Sequence, residues 1–270
     1  MLRPARYAED DVVGRVIAVT NQKGGVGKTT TAVNLSASLG SLGKSVLLLD
    51  LDPQSNSTSG VGIAPAELIH SVYTMLAGGS SPTESIRSTK ASGLDILPAT
   101  RDLTGAEVEL VSMENREVML KGRIAEIIPK YDYIIVDCPP SLGLLTLNAL
   151  SACEGVIIPL QCEYYAMEGL SALVETIDLV RASLNDRLTL DGVLLTMFDT
   201  RNSICHQVAD QARHFFGDKV FRTVIPRNVR LSESPSFGLP VLLYDPGSRG
   251  AQSYLELARE VVDRSAKGAA

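Results

Sequence analysis

Short apolar runs alternate with helix-like stretches along most of this chain. The runs cover residues 16–19, 46–49, 94–97, 133–136, 156–160 and 193–196, and they are continuously apolar apart from Asp95 and Thr196. Strands of this kind are typical of a parallel sheet that is covered on both faces. Helical patterns lie at 29–42, 102–128, 142–152, 166–184, 204–216 and 251–265, with a short one at 66–77. The alternation predicts a doubly wound α/β fold, with a mostly parallel sheet between two layers of helices.

Length and composition predict a single domain. A chain of 270 residues with 45% apolar content can build one large core, and no linker-like stretch divides it. Residues 1–14 lack periodicity and are predicted to form a flexible tail ahead of a domain at 15–270. The four cysteines have no metal-site spacing, and no signal peptide or membrane span is evident, so we expect a cytoplasmic protein.

A glycine-rich turn joins the first predicted strand to the first helix. Glycines let successive backbone N–H groups point at phosphate oxygens, and the helix N-terminus adds partial positive charge. Lys28 is placed to reach the β- and γ-phosphates, and the Thr29 hydroxyl is placed to bind Mg²⁺. Lys23 is a second lysine at the mouth of the turn; it is either functional or an ordinary solvated cation. The predicted nucleotide contacts are Lys23, Gly24, Gly25, Val26, Gly27, Lys28, Thr29 and Thr30.

Three aspartates follow apolar strands and should meet this turn at one edge of the sheet. Ligands of doubly wound folds bind beyond the carboxyl ends of the strands. Asp137 follows an apolar strand as a Mg²⁺-binding carboxylate does, although it could instead cap the next helix. Asp50 and Asp52 end the second strand, and the residues alone do not rank them.

Several motifs together resemble one family, the deviant Walker A ATPases of the ParA/Soj and MinD superfamily. The matching segments are 21–31, Asp50-Leu51-Asp52-Pro53-Gln54 and Asp137-Cys138-Pro139-Pro140. The segments 226–233 and 244–246 narrow the resemblance to the ParA/Soj branch, and it extends over residues 16–262. It implies a P-loop ATPase domain with ATP and Mg²⁺ as cofactors.

The resemblance also implies roles for individual residues. Lys23, Lys28 and Asp52 form the catalytic group, with Lys23 crossing a dimer interface and Asp52 positioning water. Thr29, Asp50 and Asp137 surround the metal, and Pro226 and Asn228 lie at the adenine. Relatives often carry glycine where this chain has Ser55, so the loop backbone should be less permissive here.

A basic segment between residues 196 and 237 is the candidate DNA-binding region. Its lysines and arginines outnumber its acids although the whole chain has a net charge of −6. By itself this excess is typical of a solvated face. The resemblance implies that Arg201 and Arg230 contact double-stranded DNA without sequence preference.

The leading functional hypothesis is a partition ATPase of the ParA/Soj type for a chromosome or plasmid. ATP would drive homodimerisation, the dimer would bind nucleoid DNA, and a ParB-like partner would stimulate slow, Mg²⁺-dependent hydrolysis and release. A ParA-like ATPase that positions another cargo is the alternative. A MinD-like membrane switch is less well supported because the last predicted helix has no aromatic or long apolar face after it. An iron–sulfur electron donor is least supported, since Cys138 and Cys162 lack the expected setting.

Overall fold

The computed structural model describes residues 14–163 and 167–268. The predicted tail at 1–14 therefore lies outside the described residues, except for Gly14. None of the described helices is both long and apolar enough to cross a lipid bilayer.

The described residues build one seven-stranded sheet whose strands are ordered β3-β4-β2-β5-β1-β6-β7. All neighbouring strands are parallel except β3 and β4, which are antiparallel. The doubly wound, mostly parallel α/β fold predicted from the sequence is thus confirmed. The strands are β1 (Arg15–Val19), β2 (Val46–Asp50), β3 (Arg87–Ser88), β4 (Leu94–Leu97), β5 (Tyr133–Asp137), β6 (Gly155–Gln161) and β7 (Thr189–Thr196).

Helices connect these strands and cover both faces of the sheet. The α-helices are α1 (Lys28–Ser41), α2 (Asn56–Gly60), α3 (Val72–Leu76), α4 (Pro82–Ser85), α5 (Leu103–Glu109), α6 (Met119–Ile124), α7 (Leu144–Ala152), α8 (Glu168–Ser183), α9 (Ser203–Phe216), α10 (Val229–Glu233), α11 (Val241–Tyr244) and α12 (Arg249–Gly268). Single 3₁₀ turns lie at Pro65–Glu67, Leu110–Ser112, Ile128–Lys130, Gly217–Lys219 and Ser234–Phe237.

The two faces of the sheet contribute to two hydrophobic cores. Successive residues of a strand point to opposite faces, so Val16 and Ala18 enter one core while Ile17 and Val19 enter the other. Helices α1 and α12 pack over the second core, where the Thr31 and Tyr254 hydroxyls are 3.1 Å apart. The apolar face of α12 is therefore buried against the domain.

The prediction of one helix over 102–128 is wrong, because α5 and α6 are separate. Between them Asn115 adopts a left-handed backbone with φ of 55°. The side chain of Asn148 in α7 holds this break, since its Nδ2 donates to the Arg116 carbonyl and its Oδ1 accepts from the Leu120 N–H. These bonds come from a distant element, so the local pattern could not predict them. Within 66–77 the helix α3 occupies only the last part, as Val72–Leu76.

Candidate functional site

The sheet order brings the predicted motifs together at one edge. Strands β2, β5 and β1 are adjacent, and Asp50 of β2 is directly opposite Asp137 of β5. Asp137 is in turn opposite Val19, the last residue of β1 before the glycine-rich turn. The turn and the aspartates therefore lie at the same carboxyl edge, where ligands of such sheets bind.

The glycine-rich turn has the open backbone of a phosphate cradle. Gly25 and Gly27 have φ of 75° and 93°, a region that side chains other than glycine rarely adopt. A Cβ added at Gly24 or Gly25 would meet no atom within 4 Å, so both residues face open space. Helix α1 begins at Lys28, which places its N-terminal N–H groups and their partial charge at this space. The segment can therefore bind phosphate oxygens.

Lys28 lies inside the cradle, and its ammonium is held by the turn itself. Its Nζ donates to the Lys23 carbonyl at 2.9 Å, and the residue is buried. Burial lowers the pKa of Lys28, while Asp137 and Asp52 oppose that shift. The Lys28 ammonium thus lies near two carboxylates, and a bound polyphosphate would add further negative charge beside it.

The side chain of Lys23 points to a different partner. Its ammonium forms an ion pair with Glu163, just after β6, and 44% of the lysine side chain is exposed. The backbone N–H of Lys23 donates to Asn21 Oδ1, and Asn21 Nδ2 donates to the Pro159 carbonyl of β6. The turn is thus anchored on β6 while the Lys23 ammonium stays at the surface.

Asp137 is the carboxylate that best fits a bound cation. Ser57 Oγ donates to its Oδ2 at 2.7 Å, whereas Oδ1 is buried without a hydrogen-bond partner among the described residues. Burial and the neighbouring Asp50 raise the pKa of Asp137, and contacts with the Ser57 and Thr29 hydroxyls oppose this. A carboxylate oxygen next to a threonine hydroxyl is a donor set that suits Mg²⁺.

Asp50 is bound to its own loop. Its Oδ2 accepts from the N–H and the hydroxyl of Thr58 at 2.8 and 2.7 Å, and its Oδ1 accepts from the Asp52 N–H at 3.2 Å. Burial raises the pKa of Asp50, although the bonds from Thr58 lower it in part. Through these bonds Asp50 orients α2 and the backbone of Asp52. A role for Asp50 in binding the metal stays a prediction.

Asp52 points one oxygen into its own turn, because Oδ1 accepts from the Gln54 N–H at 2.9 Å. Ser55, three residues later, has φ of 56°, so it adopts the left-handed backbone that glycine would adopt more easily. The loop therefore adopts the conformation that glycine favours, although serine was expected to make its backbone less permissive.

The predicted adenine residues follow the end of β7. Pro226 forms an isolated parallel bridge with Phe198, and Asn228 begins α10 by accepting the Arg230 N–H on its Oδ1. This bond leaves the Asn228 amide N–H₂ to donate to a base. The adenine role of both residues stays a prediction.

The two predicted DNA arginines are both paired with acids. Arg201 makes a two-pronged contact with Asp199, with nitrogen–oxygen distances of 3.0 and 2.9 Å. Arg230 contacts Glu233 at 2.8 Å and Asp245 at 3.1 Å. The Arg201 guanidinium, through its hydrogen bonds, holds the pKa of Asp199 well below its usual range. Both arginines remain exposed, since solvent reaches 88% of the Arg201 side chain and 46% of the Arg230 side chain.

The basic segment is not one surface. Helix α9 has 14 residues, so it carries the chain about 20 Å from the β7 end towards the other edge of the sheet. Arg213, Lys219 and Arg222 line a large groove together with Arg15 and Tyr133 at the starts of β1 and β5. Arg201 lies in the loop that follows Phe198, and Arg230 lies in α10 shortly after Pro226; the Phe198–Pro226 bridge joins these two segments.

The sequence did not predict Ser57, Thr58 and Thr196, which donate hydrogen bonds to residues of the site. Ser57 and Thr58 bind Asp137 and Asp50 as described, and Thr196 Oγ1 donates to the Val26 carbonyl of the turn at 2.8 Å. The only available signal was a run of small hydroxyl residues after Asp52. Thr196 had no signal because its partner is 170 residues away.

Comparisons with known proteins agree with this geometry. A family model described as an AAA domain matches residues 14–190. The chain is 56% identical to the sporulation initiation inhibitor protein Soj of Bacillus subtilis, covering 92% of this chain and 98% of that protein. It is 55% identical to the chromosome partitioning protein ParA of Myxococcus xanthus, covering 93% and 89%.

Solved structures show the same fold. A cobyrinic acid a,c-diamide synthase of Mycobacterium smegmatis, with bound ATP analogue and magnesium, has a TM-score of 0.85, 38% identity and coverage of 95% of this chain and 97% of that one. The septum site-determining protein MinD of Pyrococcus horikoshii, complexed with Mg-ADP, has a TM-score of 0.76, 27% identity and coverage of 92% and 96%. With the motifs assembled at one sheet edge and close relatives matched over nearly their whole length, the chain belongs to the ParA/Soj family of chromosome-partitioning ATPases.

Proposed function

We propose that this protein is a nucleotide-controlled dimer switch for chromosome partition. ATP binding closes two copies face to face, the dimer binds DNA through Arg201 and Arg230, and a ParB-like partner stimulates hydrolysis and release. The names of two relatives that are 55% and 50% identical, a chromosome partitioning protein ParA and a chromosome-partitioning ATPase Soj, support a chromosome as the cargo. A place on the nucleoid follows from the DNA-binding step.

The observation that carries the proposal is that the side chains of two neighbouring lysines point to different places. Lys28 occupies the cradle and binds the turn, whereas the Lys23 ammonium is turned outward to Glu163. A phosphate cradle needs one lysine inside, so Lys23 is available for phosphates outside its own cradle. The phosphates of a nucleotide held by a second copy fit this position, and two cradles facing each other would exchange their Lys23 residues.

The residues around the cradle fit ATP with Mg²⁺. The backbone N–H groups from Gly24 to Thr30 and the Lys28 ammonium hold the phosphates, and Pro226 and Asn228 flank the base. The Thr29 hydroxyl and Asp137 Oδ1, which is buried without a partner among the described residues, would hold the metal. When bound there, Mg²⁺ neutralises charge on the phosphate oxygens.

Asp52 is the residue we assign to the attacking water. Its Oδ1 is fixed by the Gln54 N–H, and Asp50 fixes its backbone N–H, so the carboxylate is held in one orientation. Positioning of water and neutralisation of charge are the main protein contributions to phosphoryl transfer. Because the switch must outlast its encounter with DNA and a ParB-like partner stimulates it, hydrolysis by the isolated protein is expected to be well below about 10 s⁻¹.

The test is the nucleotide dependence of mass in solution. Light scattering on the hydrolysis-blocked Asp52→Ala variant should show dimers with Mg-ATP and monomers with Mg-ADP. Adding Lys23→Ala should abolish the dimer while calorimetry still detects ATP binding, whereas Lys28→Ala should abolish binding itself. Lys44→Ala, which removes a lysine near the opposite edge, is the matched control and should dimerise normally. A mass that does not change with nucleotide contradicts the proposal.

A further inference from the structure

The peptide between Val26 and Gly27 needs an external support. A trans peptide is planar, so its C=O and its N–H point in opposite directions. Gly27 tolerates either sign of φ, which means that this peptide can flip at little cost. Only one of its two orientations turns the Gly27 N–H towards the phosphates.

Thr196 provides that support from the end of β7. Its Oγ1 donates to the Val26 carbonyl at 2.8 Å, and the threonine is 2% exposed. The Thr196 methyl and Cβ lie 3.8 and 3.9 Å from the position a Gly27 Cβ would take, so the side chain packs against the same peptide. With the carbonyl held on the Thr196 side, the Gly27 N–H points away from Thr196.

We infer that Thr196 is a positioning residue for nucleotide binding. Its hydroxyl fixes the Val26–Gly27 peptide with the N–H directed into the cradle before the nucleotide arrives. A pre-oriented donor does not have to be reoriented on binding, so more of the phosphate interaction appears as affinity. The inference rests on the proposed nucleotide site and adds a residue to it.

The same residue connects the cradle to two neighbouring segments. The Thr196 carbonyl accepts the Cys162 N–H at 3.3 Å, directly before Glu163, the partner of Lys23. The next residue, Met197, has φ of 51°, an uncommon backbone for a long side chain, and it starts the loop that carries Arg201. Thr196 thus lies where the cradle, the Lys23 partner and the Arg201 loop meet.

The experiment compares Thr196→Val with Thr196→Ser in the full chain. Valine keeps the shape and removes the hydroxyl, while serine keeps the hydroxyl and removes the methyl. Calorimetric titration with Mg-ADP avoids both hydrolysis and dimerisation. We expect Thr196→Val to raise Kd about three- to tenfold, the scale of one hydrogen bond, and Thr196→Ser to stay within about twofold of wild type.

The matched control is Thr89→Val, which removes a hydroxyl that donates to the Leu94 carbonyl at 2.8 Å on the distant β3–β4 edge. Thermal unfolding without nucleotide separates the two roles: a structural hydroxyl lowers Tm in both variants, but only the Thr196 change should alter Kd. A folded Thr196→Val protein with wild-type Kd overturns the inference.

Two further results complete the test. If Thr196→Val does not fold, Thr196→Ala takes its place, since it also removes the hydroxyl: wild-type Kd in a folded Thr196→Ala protein overturns the inference, as does a folded Thr196→Ser protein that loses affinity. If wild-type protein itself does not bind Mg-ADP, the proposed function fails, and that outcome is distinct from equal binding by wild type and Thr196→Val.

Discussion

At the residue scale, the Lys23–Glu163 ion pair has to open before Lys23 can reach a second nucleotide. Both side chains are partly exposed, and exposed pairs contribute about 0–1 kcal/mol each. A closed dimer breaks two such pairs. We therefore expect Glu163→Gln, in the Asp52→Ala background with Mg-ATP, to lower the dimer dissociation constant about two- to tenfold.

Sedimentation over a range of protein concentrations measures this constant. Glu117→Gln breaks a comparable pair with Arg116 away from the site and serves as the control, with no change expected. Weaker dimerisation of Glu163→Gln would show that Glu163 itself contributes to the interface instead of restraining Lys23.

Ser55 offers a second test, of backbone strain beside Asp52. A left-handed conformation costs a residue with a Cβ about 1–2 kcal/mol, and glycine avoids this cost but gains entropy in the unfolded chain. Ser55→Gly should therefore raise the free energy of unfolding by about 0.5–1 kcal/mol. Urea unfolding measures the change, and Ser55→Ala, which keeps the Cβ, should bring no gain.

The sequence predicted those residues whose neighbours along the chain define them. The glycine-rich turn, Asp50, Asp52 and Asp137 each follow an apolar strand, so the strand pattern alone placed them at one edge. Ser57, Thr58 and Thr196 could not be predicted in this way. They bind side chains or carbonyls that only the finished sheet brings near, and many surface serines and threonines have the same local sequence.

At the element scale, α9 separates the arginines of the basic segment into two groups, and we expect only one of them to bind DNA. Arg201 and Arg230 should carry the binding, and replacing either with Glu should abolish sequence-independent binding by ATP-bound Asp52→Ala dimers. Each phosphate contact contributes about 0.9 to the slope of log K against log salt, so binding by dimers that keep both arginines should weaken steeply as the salt concentration rises.

Arg222→Glu is the matched control, because Arg222 is 84% exposed but lies at the groove on the opposite edge. Gel shifts and light scattering on the same samples separate DNA binding from dimerisation. Full DNA binding by Arg230→Glu dimers would remove Arg230 from the DNA surface, and loss of dimerisation would place it at the nucleotide or the interface.

Two glycines connect the loop after α2 to the loop after α10. A Cβ on Gly62 would lie 2.8 Å from the Gly238 carbonyl oxygen, and one on Gly238 would lie 2.7 Å from the Gly62 Cα. The two backbones are therefore in direct contact. This contact joins the segment that follows Asp52 to the segment that follows Arg230.

Gly62→Ala should be more destabilising than its backbone conformation alone explains. Gly43 has a φ of 83°, close to the 86° of Gly62, but a Cβ added at Gly43 would meet no atom within 4 Å. Gly43→Ala should cost about 1–2 kcal/mol for the left-handed backbone, and Gly62→Ala should cost that and about 1–3 kcal/mol more for overpacking. Equal losses in urea unfolding would show that the two loops separate without cost.

At the scale of the whole molecule, the order of the strands could be predicted only in outline. Continuous apolar runs indicated a parallel sheet, but β3 has two residues and leaves no pattern. The failure over 102–128 has a similar origin, since Asn148 of α7 holds the break between α5 and α6. Local periodicity does not contain such contacts between distant elements.

The C-terminal helix α12 is fastened to the rest of the molecule by a buried carboxylate. Glu260 accepts from the N–H groups of Arg222 and Thr223 and from the Thr223 hydroxyl, and Arg264 donates to it at 2.8 Å. Arg264 also donates to the Asp191 and Val220 carbonyls and lies over the Phe221 ring at 4.2 Å. One ion pair therefore joins α12 to β7 and to the segment after α9.

This arrangement predicts how stability depends on pH. Burial alone would raise the pKa of Glu260, but the hydrogen bonds outweigh it, and the pKa is lower than in the unfolded chain. A depressed carboxyl pKa contributes stability that is present above the unfolded value of 4.5 and is lost as pH falls through the lower folded value.

Glu260→Gln should therefore cost about 1.5–3 kcal/mol at pH 7, the scale of hydrogen bonds to a charged group. The difference from wild type should shrink as the pH falls below 4.5, because protonation then removes the same charge from the native protein. Urea unfolding at several pH values measures it, with the exposed Glu256→Gln one turn earlier as the control. A loss that is the same at pH 7 and at pH 3.5 would mean that the shape of Glu260, not its charge, holds α12 in place.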